Sequence, residues 1–217
     1  MNFKQALKFL TNLNNNNYKE WLDQNRSTYK SIRKDMIDWA EAIDFKLSQV
    51  DPDYYSLPGN KALNRINNNL LYHPNKPPYK DHYGFGFDKK PKQSDFYIHV
   101  GLNEKFIAGG FYKPNSTFLK SIREAIDYNG EELKEITNLP KFKAKFRGLV
   151  EVEMLQNAPK GFSKEHQHID LLKHKSFVVE TAFSQDLLFS KEFDEWLVEH
   201  YKVMLPFRNY LNKAVTV

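Results

Sequence analysis

Apolar residues recur every three or four positions through the first fifty residues, which is the spacing of one face of a helix. Residues 3–12 carry this pattern, and a second run extends from Trp21 to Leu47. Asparagine favours caps and turns, so the tract at Asn14–Asn16 predicts a break between two helices. The second helix is predicted to end near Val50, because Pro52 disfavours helical backbone at the residue before it.

Residues 52–80 contain five prolines and show no regular period, so they predict a long irregular segment. An alternating, strand-like pattern follows. "YGFGFD" predicts a first strand, and "SDFYIHVGL" predicts a second with Tyr97 and His99 on the face opposite its apolar residues. "NEK" at 103–105 predicts a hairpin turn into "FIAGGFY", where Gly109 and Gly110 indicate a bulge or a close backbone approach.

The second half returns to helical spacing. Pro114 and Ser116 predict the start of a helix that stops at Asn129-Gly130, followed by a short helix over 131–138. "LVEVEML" at 149–155 predicts a short strand, and the stretch after it reads as turn, helix and strand. Two final helices, about 185–203 and 206–215, are predicted to be separated by Pro206.

This order of elements predicts an α+β fold and excludes a repeating βα architecture. We expect a single domain over residues 1–217, with an antiparallel or mixed sheet of about four to six strands flanked by N-terminal and C-terminal helices.

The composition excludes several classes of protein. The chain has no cysteine, which excludes disulfides, thiolate nucleophiles and cysteine-ligated metals. No apolar run approaches the roughly 18 residues that span a bilayer, and the N-terminus lacks a secretory cleavage pattern. We therefore expect a cytoplasmic protein without a membrane partner. The formal charge of +5 is a mild excess that fits a phosphate or nucleic-acid partner. The sequence does not indicate an oligomeric state.

The stretch "KPPYK" is the first candidate site. Two prolines stiffen the backbone between Lys76 and Lys80, and a lysine pair beside the Tyr79 hydroxyl can bind a phosphate or a carboxylate. Arg65, upstream, is a further candidate for the same place. The alternative is a proline-rich connection in which the tyrosine packs and the lysines are solvated.

Histidines supply the other candidates. His99, on the open face of its strand beside Tyr97, can act as an acid or a base, or can be a structural histidine with a satisfied hydrogen bond. If "EHQHIDLLKH" is helical, His166, Asp170 and His174 share one face and His168 points elsewhere. The alternative there is a polar helix start, and we predict no metal site. Motifs for nucleotide phosphates, nucleophilic serine or other cofactors are absent, so no cofactor is predicted.

Several segments together resemble the domain-of-unknown-function family 2461 of conserved hypothetical proteins. The resemblance runs from about Phe3 to Ala214 and is carried by "NNNNYKEW", "NRINNNLLYHPNKPPYK", "DFYIHV", "GGFYKPNSTFLKSIREAI" and "PKGFSKEHQHIDLLKHKSF". It implies no established activity.

Within "NRINNNLLYHPNKPPYK" the family pattern is approximately Arg-x-x-Arg-Asp-x-Arg-Phe-x-x-Asp-Lys-x-Pro-Tyr-Lys. Arg65, Lys76, Pro78, Tyr79 and Lys80 match it. Neutral residues replace charged ones at Asn68, Asn69, Leu71 and Asn75. If the charged set is a site, this chain has lost much of it. If it is a buried ion network, asparagines can substitute by hydrogen bonding.

The leading expectation is a domain that binds, and possibly transforms, an anionic small molecule in a basic and aromatic pocket. We expect this pocket to be lined by Arg65, Lys76, Tyr79, Lys80 and His99. One alternative is a nucleic-acid-associated accessory protein, whose binding would weaken steeply with salt. Another is a structural or protein-interaction domain without a ligand. No sequence motif names a reaction, so the sequence does not decide whether the protein is an enzyme.

Overall fold

The computed structural model describes residues 1–217. The helices are α1 Phe3–Asn15, α2 Lys19–Gln24, α3 Arg26–Ser48, α4 Gly59–Ala62, α5 Ser116–Asn138, α6 Pro140–Lys143, α7 Ile169–Leu172, α8 Gln185–Phe189 and α9 Phe193–Ala214. The strands are β1 His82–Phe87, β2 Asp95–Gly101, β3 Lys105–Phe111 and β4 Phe177–Ala182. They form one antiparallel sheet in the order β1-β2-β3-β4. The predicted α+β fold class is confirmed. None of the helices combines the length and the apolar character needed to cross a bilayer.

The central strands follow the predicted alternation. Along β2, Phe96, Ile98 and Val100 are fully buried, while Tyr97 and His99 are partly exposed. The turn after β2 lies one residue earlier than predicted, because Gly101 N–H bonds the carbonyl of Glu104 at 2.8 Å and Lys105 already belongs to β3. One face of β2 therefore lies in the core, and the other carries the two candidate ring side chains.

The predicted second helix is two helices. Asn25 interrupts it with φ −102° and ψ 15°, and its side-chain amide donates to the carbonyl of Trp21 at 2.9 Å. An asparagine side chain that bonds nearby backbone competes with the helical ladder, so α2 ends there and α3 begins at the next residue. Helical periodicity continues across the interruption, which is why the apolar pattern alone did not reveal it.

Pro206 does not end a helix, so the predicted break there is wrong. It lies inside α9. The turns around it bury Tyr201, Met204, Phe207 and Leu211 completely. Packing of this apolar face offsets the hydrogen bond that proline cannot donate. The chain instead breaks earlier, between α8 and α9.

One other predicted boundary is confirmed and one is wrong. Asn129 has non-helical backbone, with φ −148° and ψ 55°, and separates two helical segments within α5, as the predicted stop at Asn129-Gly130 requires. The predicted strand at 149–155 is wrong: only Leu149 forms an isolated bridge, to Val179, and the Val150 N–H bonds the carbonyl of Val178 at 2.8 Å. The chain pairs with β4 only at this bridge, and the residues that follow do not continue along the edge of that strand.

By contacts, the chain forms two compact units, each assembled from several segments. The first unit comprises residues 1–88, 97–107 and 182–198. The Trp39 ring is central to its core, with centroids 5.0 Å from both Phe3 and Phe85 in edge-to-face geometry and 6.2 Å from Phe193. All five residues of the leading candidate site belong to this unit.

The second unit comprises residues 89–96, 108–181 and 199–217. Phe96 meets the Tyr201 ring edge-on at 5.3 Å, and the guanidinium of Arg208 lies 5.4 Å from the same ring. Arg208 is 1% exposed and donates to the carbonyl of Ser94 at 2.6 Å. Gly110, also in this unit, has φ +126°, and a Cβ atom there would overlap the backbone carbonyl of Phe177. The predicted close backbone approach is confirmed.

Candidate functional site

Residues 63–81 form an ordered hairpin beside the first strand, which we call the site hairpin. Lys80 N–H bonds the carbonyl of Ile66 at 2.9 Å, and Asn68 N–H bonds the carbonyl of Pro78 at 2.9 Å. The start of the hairpin pairs with β1, because Asn64 N–H bonds the carbonyl of Gly84 at 2.9 Å. The proline-rich stretch is therefore an ordered segment that leads into the sheet.

Asn17 fastens the site hairpin to the N-terminal helices. Its side-chain oxygen accepts from the Tyr79 N–H at 2.9 Å, and its amide donates to the Tyr79 carbonyl at 3.0 Å. These two backbone groups point away from the hairpin partner and have no ladder bond of their own. Asn17, which directly follows the tract at Asn14–Asn16, therefore has a specific role that composition alone did not reveal.

The hairpin carries three cations, Arg65, Lys76 and Lys80, and the first two act electrostatically on the third. The Lys80 ammonium donates to the carbonyl of Arg65 at 2.6 Å. Burial lowers the pKa of Lys80, and the charges of Arg65 and Lys76 lower it further. None of the three forms an ion pair with a carboxylate. Arg65 and Lys76 are exposed, so this uncompensated positive charge faces solvent.

The Tyr79 side chain does not join these cations. It is 4% exposed, and burial raises the pKa of its hydroxyl, on which the charges of Asp23 and Arg26 also act. Neighbouring side chains of an extended backbone point in opposite directions, so the Tyr79 ring and the Lys80 ammonium leave the chain on different sides. The structure thus makes Tyr79 an anchor for the hairpin.

His99 lies in a separate group. Its ring stacks between His82, at 4.2 Å and 27°, and Phe106, at 4.7 Å and 8°. The Tyr97 hydroxyl lies 3.3 Å from His99 Nδ1. Burial, followed by the charge of His82, lowers the pKa of His99 to about 4, so the ring is neutral at pH 7. We call His82, His99 and Phe106 the ring stack.

Asp81 completes this second group. Its carboxylate lies 3.0 Å from His82 Nδ1, and this hydrogen bond lowers the pKa of Asp81. The charges that act on His99 are those of His82, Asp81 and Lys105, and none of the three hairpin cations is among them. Sequence reasoning missed His82, although alternation along "DHYGFGF" places it on the same sheet face as His99. The structure therefore divides the candidate residues between two places.

The ring stack predicts a pH dependence of stability. The pKa of His99 falls from its ordinary 6.5 to about 4 on folding, so the unfolded chain binds more protons between these values. Stability should fall as pH drops from 6.5 through 4. After a discount for partial exposure, we expect a loss of about 1 to 2 kcal/mol.

The measurement is denaturant unfolding at a series of pH values. His99→Phe keeps a stacked ring and should lose this part of the pH profile, while exposed His73→Phe should retain it. Equal profiles for both variants would contradict the assignment. Asp81, His82 and Lys105 are unchanged in each variant and supply the common background.

The histidines near residue 170 do not share a helical face. Only Ile169–Leu172 is helical, so the predicted spacing of His166, Asp170 and His174 along one face is not formed. His166 Nε2 bonds Asp127 at 2.8 Å. No group of three or more His, Asp or Glu side chains is arranged to hold a metal ion.

The positions that depart from the family pattern lie on the surface of the site hairpin. The Asn68 amide donates to the carbonyl of Pro77 at 2.8 Å and helps to close the hairpin. Asn69, Leu71 and Asn75 are exposed. These residues do not form a buried network. The asparagines therefore do not stand in for buried ion pairs.

Two cavities lie elsewhere. One, of about 470 Å³, is lined by Phe3, Lys4, Trp39 and Phe189 among others in the first unit. Another, of about 480 Å³, is bordered by residues 89–95 and 110–118 of the second unit. Neither is lined by a candidate residue. The cations of the hairpin lie at the surface, where Arg65 and Lys76 are exposed.

Comparisons with known proteins agree with this picture of a fold without an assigned reaction. No curated protein and no solved structure matches the chain. The family described as conserved hypothetical protein, DUF2461, matches residues 5–210. This match covers nearly the whole chain, including both the site hairpin and the ring stack. The protein therefore belongs to the DUF2461 family of conserved hypothetical proteins.

Proposed function

We propose that the protein binds an anionic small molecule at Arg65, Lys76 and Lys80. The observation that carries the proposal is that the positive charges of Arg65 and Lys76 both act on half-buried Lys80, while none of the three has an ion-pairing carboxylate. Like charges held together destabilise one another, and an anion bound among them would relieve the repulsion.

The geometry gives each cation a different part in the proposal. The Lys80 ammonium is half-buried and already bonded to the Arg65 carbonyl, so it is fixed in place and contributes mainly charge. Arg65 and Lys76 are exposed and can turn toward a ligand. An arginine fork and a lysine ammonium together suit a phosphate or a carboxylate.

Tyr79 and His99 take no direct part in this proposed site. Tyr79 holds the hairpin through its buried ring and its bonds to Asn17. His99 is neutral at pH 7 and has both ring faces covered by the ring stack. The proposal therefore concerns binding, and it assigns no catalytic residue.

The test is titration of the full chain with inorganic phosphate, glycerol phosphate, nucleotides and small carboxylates, with thermal unfolding as a second readout. We expect Arg65→Ala and Lys76→Ala each to weaken binding about fivefold to tenfold. Lys141→Ala, at an exposed lysine of α6, is the matched control and should change little. Binding should also weaken as pH rises through the lowered pKa of Lys80.

Two outcomes would reject the proposal: no anion binds, or the Arg65 and Lys76 variants bind as the unaltered chain does. An oligonucleotide arm at low and high salt addresses the nucleic-acid alternative, which predicts a steep salt dependence across many contacts. We also propose a cytoplasmic location, in keeping with the cysteine-free composition.

A further inference from the structure

The segment that carries the proposed site has charge of one sign only. Residues 61–80 contain Lys61, Arg65, Lys76 and Lys80 and no aspartate or glutamate. None of these four side chains is in an ion pair. Such a segment suits a partner whose charge is uniformly negative.

The end of the site hairpin exposes three consecutive apolar side chains. Leu70 is 41% exposed, Leu71 84% and Tyr72 74%. The turn that presents them is closed by hydrogen bonds from the N–H groups of Tyr72 and His73 to the carbonyl of Asn69, at 3.2 and 3.0 Å. We call residues 70–72 the apolar tip.

Isolated apolar residues on a surface are ordinary, whereas a contiguous exposed group is typical of an interaction site. The apolar tip lies between Arg65 and Lys76 in the chain, so apolar and cationic side chains occupy the same hairpin. This arrangement matches a lipid bilayer interface, where acyl chains lie beneath a layer of phosphates. Tyrosine favours the headgroup level, and lysine stems reach outward from it.

We infer that the apolar tip inserts into the interface of an anionic lipid bilayer while Arg65 and Lys76 bind headgroup phosphates. The inference rests on the proposed function, since it identifies the anion as a phosphate that belongs to a lipid. It is a peripheral contact and requires no membrane-spanning helix. It departs from the expectation, drawn from the sequence, of no membrane partner.

The experiment is co-sedimentation of the full chain with vesicles of phosphatidylcholine alone or mixed with phosphatidylserine. We expect binding to the mixed vesicles and at least about tenfold less to phosphatidylcholine alone. A Leu71→Asn, Tyr72→Asn double variant should lose binding to the mixed vesicles by at least about tenfold. Tyr128→Asn, at a tyrosine that is 93% exposed on α5, is the control and should bind normally.

A second readout tests insertion directly. The chain has no cysteine, so Leu71→Cys provides a single site for an environment-sensitive fluorophore. Its emission should shift to the blue with mixed vesicles and stay unchanged with phosphatidylcholine alone. Because the tip is exposed, these variants should retain the unfolding transition of the unaltered chain.

Glycerol phosphate separates the two proposals. If the double variant loses the vesicles but still binds glycerol phosphate, both proposals are supported. If the unaltered chain binds glycerol phosphate and not the mixed vesicles, the lipid inference is overturned and the anion site stands. If the double variant co-sediments with the mixed vesicles as the unaltered chain does, the lipid inference is also overturned. If neither glycerol phosphate nor mixed vesicles bind, both proposals fail.

Discussion

Gly110→Ala is expected to destabilise the protein by about 3 to 5 kcal/mol. Gly110 has φ +126°, a conformation that is unfavourable in free energy for any residue that carries a side chain. A Cβ atom there would also overlap the carbonyl of Phe177 on the neighbouring strand. This carbonyl belongs to a paired backbone and cannot turn aside as a flexible side chain could.

Gly161→Ala isolates the conformational part of this cost. Gly161 has φ +95°, and no atom lies within 4 Å of the position its Cβ would take. The expected loss is about 1 to 2 kcal/mol, from backbone strain alone. Denaturant unfolding of the two variants measures the difference, and equal losses would show that β3 and β4 do not approach closely at Gly110.

Asn17→Ala should cost about 2 to 4 kcal/mol. The Asn17 amide satisfies both the N–H and the carbonyl of Tyr79, a residue that is only 4% exposed. Removing it leaves two backbone groups without partners in a place that water reaches poorly. Asn14→Ala, at an exposed asparagine of the preceding tract, should change stability by less than about 0.5 kcal/mol.

The same substitution should weaken anion binding. The Asn17 amide hydrogen-bonds none of the three cations, but it holds the hairpin strand that positions Lys80 against the Arg65 carbonyl. We expect Asn17→Ala to bind glycerol phosphate several-fold less tightly at a temperature where it remains folded. Unchanged affinity in a folded variant would show that the cation cluster does not depend on this bond.

Part of the candidate site could be predicted from residue types. Lysines beside two prolines indicated a stiff cationic segment, and alternation along β2 placed His99 on the half-exposed face. Both predictions use neighbours within a few residues, where backbone geometry alone sets direction. The bond between Lys80 and the Arg65 carbonyl joins positions fifteen residues apart, and no local pattern encodes it.

The sequence could not show that the candidate residues lie in two separate places, because this too depends on contacts between distant positions. Tyr79 and Lys80 are adjacent in sequence, yet pairing of the hairpin turns the ring inward and leaves the ammonium with two other cations. His99 meets His82 and Phe106 because three strands align in register, which depends on every turn between them.

By itself, the sequence determined the α+β class and the alternation of the central strands. It also determined that no cysteine chemistry is available and that all charged residues of 61–80 are positive. These follow from period and composition, which need only the residues themselves. The tertiary structure decided that α9 continues through Pro206, that Asn17 fastens Tyr79, and that Leu71 faces solvent. Each depends on which distant residue packs or bonds at that position, and long-range contacts of this kind override local preference.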